Sequence, residues 1–397
     1  MTLDALNQAT PSRRYELDWL RIIALSLLIF YHVGMYYSSW YWHVKSPHSN
    51  STVDLFMDLM NPWRLPLLFF ISGVAFAYLL EKSGQWSFVR QRTWRLGLVI
   101  LFGILIIVPP QSYFELISSG GFETGWWSFY RFYLTFNVTN DVITPTWNHL
   151  WYVVYILTYA LIVAPVLPLL LHWSAIVSES LEQRCQGPTA VVGLLALPAL
   201  PLVFWQATLT PYSPDTKNLI WDWSNHAHFF TYVIFGVLAA RSKFFWDLVD
   251  KCVPYAAAVT VGITTLYWVL WPNWTYGGEG VLGWVAPLVR PVFAWSALVL
   301  ALGLARRFLS HDSAARRYLT EAIFPVYIFH QTITVIAGYY LARTGLGVWA
   351  EFSAILALTW IGSFIGFELF RRFNVLRPLV GLKLHAKPKN QERALLN

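Results

Sequence analysis

Long apolar runs separated by short polar stretches dominate this chain. A helix needs about 20 apolar residues, at ~1.5 Å each, to cross a bilayer. Ten runs qualify: residues 17–42, 64–80, 93–109, 147–171, 188–209, 226–240, 252–271, 283–305, 318–342 and 348–370. The pattern predicts an all-α, polytopic membrane protein of about ten transmembrane helices. The sixth run is short and the second contains Pro66, so their boundaries are the softest. The expected organisation is an N-terminal segment 1–16, one transmembrane domain 17–373 and a basic, partly disordered tail 374–397, without an internal repeat.

The polar stretches differ in character. Residues 43–62 and 110–146 are rich in Trp, Tyr, Phe, Asn, Ser and Thr. The longer one, with Trp126, Trp127 and Tyr130, is expected to form amphipathic or re-entrant helices. The loops near 210–225 and 272–282 add Trp221, Trp223, Trp271, Trp274 and Tyr276. Aromatic rings beside amides and hydroxyls suit sugars, and they equally suit a belt at the level of the lipid headgroups.

Composition supports the membrane reading, since 56% of the 397 residues are hydrophobic and only 12% charged. The net charge of +7 is explained by topology. With ten spans both termini share a side, and 21 of the 28 Lys and Arg fall on it. Only Lys45, Arg131, Lys217 and Arg343 fall on the other, and Arg21, Arg64 and Arg290 lie within spans. The positive-inside rule then makes both termini cytoplasmic, and no nucleic-acid partner is expected. Cys185 and Cys252 give neither a disulfide framework nor a metal spacing, so no metal is expected. Residues 1–16 are polar and unlike a cleavable signal peptide.

Charges inside spans are costly and mark function by default. The first run holds Asp18, Arg21 and His32. Eleven residues separate Arg21 from His32, about 16 Å of helix, and eleven steps of ~100° bring the two to within ~20°. Asp18 lies one turn before Arg21, in reach of an i,i+3 ion pair. His32 is the candidate base or nucleophile, because imidazole titrates near neutrality; the alternative is a histidine bonded between helices. Further polar groups are Arg64, His149 beside Trp151, Arg290, Glu321, His330 and Glu368. Drawn from most of the helices, they predict a polar, hydrated central cavity. Arg90, Arg92 and Arg95 enter the third run, where guanidinium forks match a phosphorylated cofactor as well as lipid headgroups. In Phe69-Phe70-Ile71-Ser72-Gly73, Ser72 can place a hydroxyl in the cavity and Gly73 reads as close helix packing.

Together these residues resemble the membrane acyltransferase 3 family. The likeness rests on Arg21-x10-His32 preceded by Asp18, on Phe69-Phe70-x-Ser72-Gly73, and on the basic run through Arg92 and Arg95. His149-Leu150-Trp151, Tyr327-Ile328-Phe329-His330 and Glu368 extend it from about residue 15 to 380. Tyr31-His32-Val33-Gly34, Trp42-His43-Val44-Lys45-Ser46 and the Met60-to-Ser72 approach are similar to members that succinylate osmoregulated periplasmic glucans. One departure is Ile22-Ile23 after Arg21, where an extra charge is absent.

The resemblance implies an integral O-acyltransferase of the bacterial inner membrane. Acyl-CoA, succinyl-CoA in this branch, would be the cytoplasmic co-substrate. A hydroxyl of a periplasmic glucan would be the acceptor, and membrane lipids and a homodimer are compatible partners. His32 would be catalytic, as general base or as acyl carrier. Arg21 would polarise the thioester end and Asp18 would orient it. Arg90, Arg92 and Arg95, with Ser72, would hold the cofactor. Arg64 and Arg290 would face a succinyl carboxylate, and His149, Trp151, His330, Glu321 and Glu368 would line the substrate path. The competing readings are an O-acetyltransferase for another envelope glycan and a transporter, which would more often show a repeat and broken helices.

Overall fold

The computed structural model is almost wholly helical and describes residues 13–122, 125–139, 142–184, 186–213, 215–270 and 281–385. In order come α1 (Tyr15–Tyr37), α2 (Thr52–Ser83), α3 (Gln85–Phe102), a π-wound turn (Gly103–Ile107), α4 (Pro109–Ser118) and α5 (Trp126–Tyr133). A hairpin of β1 (Asn137–Thr139) and β2 (Val142–Thr144) leads to α6 (Trp151–Arg184), α7 (Pro188–Ala196), α8 (Ala199–Thr208) and α9 (Trp223–Ala239). The chain continues through α10 (Lys243–Leu270), α11 (Val281–Phe308), α12 (Ala314–Leu341), α13 (Val348–Arg372) and a 3-10 turn (Arg377–Val380). Cys185, Trp271, Trp274, Tyr276 and the two chain ends, 1–12 and 386–397, lie outside the described residues.

The protein is an all-α, multi-pass membrane protein. Among the described residues, nine helical stretches are long and apolar enough to cross a membrane. The remaining expected span, 226–240, folds as α9, whose 17 residues rise about 25 Å, at the short edge of what crosses.

The chain forms two compact units. The first takes residues up to Leu27, Leu55–Lys82 and Pro165–Thr320. In it α2 meets α9 through two glycines. A Cβ on Gly73 would lie 2.0 Å from the Val233 carbonyl oxygen, and one on Gly236 2.0 Å from that of Phe70. The backbones touch, and any side chain at either position would part them. Ser72 donates to the Leu68 carbonyl at 2.8 Å, a bond back to its own helix. Trp295, 1% exposed, packs near Phe70, Tyr232 and Phe235 and donates its indole N–H to the Leu194 carbonyl at 2.7 Å.

The second unit takes Leu28–Asp54, Ser83–Ala164 and the chain from Glu321 onward. Here α1 ends on Lys45, whose ammonium donates to the carbonyls of Met35 at 2.7 Å, Trp40 at 3.0 Å and Ser38. A cation therefore supplies donors where the helix end has none of its own. Trp42, Val44, Tyr36 and Tyr37 form a core with Val335, Ala337 and Ile355.

Three sequence expectations change. Residues 52–62, expected in a loop, are the opening turns of α2. Asp54 and Asp58 interrupt the apolar run there, and both are hydrogen-bonded. Asp54 accepts the Ser39 backbone N–H at 2.8 Å, and Asp58 accepts the Tyr267 hydroxyl at 2.6 Å. The stretch 110–146 forms helices as expected, but adds the hairpin, with Asn137 opposite Thr144 and Val138 opposite Ile143. The tail is packed as far as Leu382: Val380 is fully buried, Arg95 donates to the Gly381 carbonyl at 2.7 Å, and Arg377 pairs with Glu321 at 2.9 Å.

The π-wound turn has a local cause. The Val108 N–H bonds the Gly103 carbonyl at 2.9 Å, five residues back. Pro109 and Pro110 come next with no N–H to give, so in this winding the carbonyls of Ile104 and Leu105 lack their donors. Two tyrosines of α5 take them: Tyr133 donates to Ile104 and Tyr130 to Leu105, each at 2.9 Å. Burial pushes the Tyr133 phenol up to about 12, which keeps it a donor.

Candidate active site

The site is built on one face of α12 in the second unit. Tyr327, His330, Gln331 and Thr334 follow an i, i+3, i+4, i+7 spacing, which sets them on one stripe of the helix. His330 is fully buried. Its Nε2 lies 2.7 Å from Nδ1 of His32 on α1, with the ring planes parallel to within 3° and the centroids 4.9 Å apart. Its Nδ1 lies 2.5 Å from the Tyr327 carbonyl oxygen. His32 itself is only partly buried, with Trp42 at 6.4 Å.

His149 closes the group from the turn before α6. Its ring stands edge-on to His330 at 5.4 Å, and its Nε2 lies 3.0 Å from the Ile328 carbonyl. The His149 carbonyl accepts the Tyr327 hydroxyl at 2.5 Å. Three histidines spread over 298 residues of sequence thus meet at α12.

A layer of amides surrounds them. Gln111 on α4 donates to Thr332 at 2.7 Å and to Nδ1 of His149 at 3.3 Å, and it accepts from Asn148 and Gln331 at 3.0 Å each. Thr332 in turn donates its hydroxyl to the Ile107 carbonyl at 2.6 Å. Gln331 also donates to Nε2 of His43 at 2.9 Å, while Nδ1 of His43 donates to Glu115 at 2.6 Å. Tyr41 completes that carboxylate at 2.5 Å. Glu351, 1% exposed, accepts from Tyr36 at 2.6 Å and from Ser46 at 2.9 Å. An unmet buried polar group costs about 1–3 kcal/mol, so this many matched donors and acceptors fix the side chains in place.

The structure brings together His32, His149 and His330 among the expected residues. Trp151 packs on Tyr155 at 5.1 Å in the first turn of α6. Glu321 pairs with Arg377, and Glu368 with Arg371 at 3.0 Å, near the ends of α12 and α13. On α3, Arg92 lies over the Phe88 ring at 5.5 Å, Arg95 holds the C-terminal turn, and Arg90 is exposed.

Asp18, Arg21, Arg64, Ser72 and Arg290 belong to the first unit. The expected Asp18–Arg21 pair is long, at 3.9 Å. Asp18 is held more closely by Arg316 at 2.5 Å and Arg13 at 2.8 Å, so its orienting partner is Arg316 at least as much as Arg21. Arg64 is fully buried in α2, and Arg290 lines a small pocket with Asp58 and Tyr267.

Sequence reasoning gave no site role to Gln111, Glu115, Gln331 and Glu351, nor to His43, which entered only through the resemblance. Gln331 directly follows His330, Glu351 is a carboxylate inside the run 348–370, and Glu115 follows the run 93–109, which was the signal available.

A half-buried imidazole backed by a buried one can take up and hold a proton, the working part of general-base chemistry. The family model described as an acyltransferase domain, acyltransferase 3, matches residues 14–368. The chain belongs to this family and is a multi-pass membrane acyltransferase. It is 23% identical to glucans biosynthesis protein C of Escherichia coli K12, over 98% of this chain and 99% of the relative. The counterparts from E. coli strains SMS-3-5 and UMN026 are equally similar, at 23% over the same shares. No solved structure matches the chain.

Proposed function

We propose that this acyltransferase moves an acyl group from acyl-CoA to a hydroxyl of a periplasmic glucan, with succinyl-CoA as the donor to test first. The observation that carries the proposal is the 2.7 Å bond between His32, the histidine of the Arg-x10-His motif, and the buried His330. His32 is the base for the acceptor hydroxyl. Arg21, three turns earlier on the same helix, is assigned to the thioester end of the donor, and Arg92 and Arg95 to the nucleotide phosphates. The likeness to glucans biosynthesis protein C over nearly the whole of both chains supports the glucan. The gathering of 21 of 28 basic residues on the side of the termini supports a bacterial inner membrane location with cytoplasmic termini.

The test is turnover by the purified protein in lipid nanodiscs, offered acyl-CoA donors and a glucan. Release of free CoA, with a matching mass increase of the glucan, is expected with succinyl-CoA. Transfer from acetyl-CoA alone would move the assignment to O-acetylation. No CoA release with any donor would sink the dependence on acyl-CoA.

A further inference from the structure

We infer that His330 is a positioning residue that fixes the tautomer of His32 and thereby makes Nε2 of His32 the reacting nitrogen. The inference rests on the acyltransfer reading above and names the nitrogen that carries it out.

A backbone carbonyl can only accept, so the 2.5 Å contact with the Tyr327 oxygen places a proton on Nδ1 of His330. In a neutral imidazole the other nitrogen is then an acceptor. The 2.7 Å bond between His330 Nε2 and His32 Nδ1 must therefore carry its proton on His32. That leaves the lone pair of His32 on Nε2. The opposite polarity needs a doubly protonated His330, a charge at a wholly buried position, which is costly. The ring planes are parallel to within 3° and the ring centroids lie 4.9 Å apart with the two nitrogens at 2.7 Å, so the contact runs edge to edge and the donor N–H faces the acceptor lone pair.

The neighbours hold this polarity. Nε2 of His149 meets the Ile328 carbonyl, which puts its proton on that nitrogen and leaves Nδ1 to accept from Gln111. The Tyr327 hydroxyl, which ties α12 to the His149 carbonyl, belongs to the residue whose own carbonyl orients His330. Being fully buried, His330 is placed to orient His32, and His32 is the imidazole with exposed surface.

The step balances without a further reactant. Nε2 of His32 takes the proton of the acceptor hydroxyl as that oxygen bonds the acyl carbon of the thioester. The C–S bond breaks, and the departing thiolate takes the proton from Nε2. An ester and a thiol result, and His32 returns to its starting tautomer. Throughout, Nδ1–H of His32 stays bonded to His330, which holds the imidazolium while it exists.

The test combines nitrogen NMR of 15N-histidine-labelled protein in nanodiscs with kinetics. His32 is assigned by comparison with His32→Gln. In the wild type, His32 is expected to show protonated Nδ1 and unprotonated Nε2. His330→Leu removes the acceptor, and it is expected to lose that signature and to lower kcat by about 10²–10³-fold with KM within about twofold. His330→Gln offers an amide oxygen near the place of Nε2 and is expected to keep the signature and kcat within about tenfold. The inference is overturned by an Nε2–H tautomer of His32 in the wild type, by full kcat in His330→Leu, or by a folded His330→Gln as slow as His330→Leu. If the wild type releases no CoA from any donor, the donor assignment fails, and the spectrum still decides the tautomer.

Discussion

The polar face of α12 and the contact of α2 with α9 are two different ways of bringing helices together. On α12, side chains meet through hydrogen bonds of defined polarity, from Tyr327 through His330 to His32 and from Gln331 through His43 to Glu115. Between α2 and α9 the side chains are missing at Gly73 and Gly236, where backbone carbonyls close the gap, and Phe69 stacks on Phe229 at 4.5 Å beside them. The first arrangement buries groups that can do chemistry. The second fixes the helices mainly by van der Waals contact, with the Tyr78 hydroxyl donating to the Ala240 carbonyl at the end of α9 at 2.6 Å. Substitutions should therefore separate activity from stability.

The largest effect is expected at His32. His32→Ala should lower acyl transfer by about 10³–10⁴-fold, measured as CoA release, while the protein stays folded in detergent and loses no more than about 1–3 kcal/mol, the cost of one unmet group on His330. A loss of fold to match the loss of activity would erase the distinction between the two regions. Gly73→Leu should do the reverse. A side chain 2.0 Å from a backbone oxygen has to push the helices apart, at about 3 kcal/mol or more, read as a lower melting temperature or lost folded yield. Wild-type stability in Gly73→Leu would show that the contact does not matter.

Glu351→Ala tests whether the polar layer also stabilises. It leaves the buried Tyr36 and Ser46 hydroxyls without their carboxylate, which should cost about 2 kcal/mol in a thermal or denaturant melt. The smallest effect is expected at Asp312, before α12. Its hydrogen bond from Arg316, aided by Arg317, holds its carboxyl below the usual carboxylate range. A lowered value in the folded state means the contribution is present above the ordinary aspartate range, about 4, and fades as pH falls through the lowered value. The melting temperatures of wild type and Asp312→Asn should differ slightly near neutral pH and converge in acid. A gap that widens in acid would reverse the assigned direction.

The parts of the structure legible in the sequence are the local ones. Arg21 and His32 share a helix, so their common face was legible from spacing. Apolar runs gave the helices, but two kinds of boundary escaped. The opening turns of α2 were hidden because Asp54 and Asp58 look like loop residues until Ser39 and Tyr267 bind them. The packed turn after α13 was hidden because Arg377 looks like part of a basic tail until Glu321 meets it. The site partners were illegible for the same reason on a larger scale. In the sequence His330 stands out as a polar residue in a span, suited to lining a substrate path. Its role as the partner of His32 depends on a contact across 298 residues. Gln111 and Glu115 carried even less signal, since each becomes meaningful only beside Gln331 or His43.

The π-wound turn before α4 sets the angular phase of that helix. One residue more per turn advances α4 by about 100° relative to an uninterrupted α-helix. Gln111 and Glu115 come four and eight residues after this turn ends, so their bearing on Gln331 and His43 is inherited from it. Deleting a single residue from Gly103–Ile107 would restore the ordinary winding, keep the amino-acid content of the polar layer intact, and swing both side chains a quarter-turn out of register with their partners. The polar layer is in this sense tuned by a count of residues as much as by their kinds.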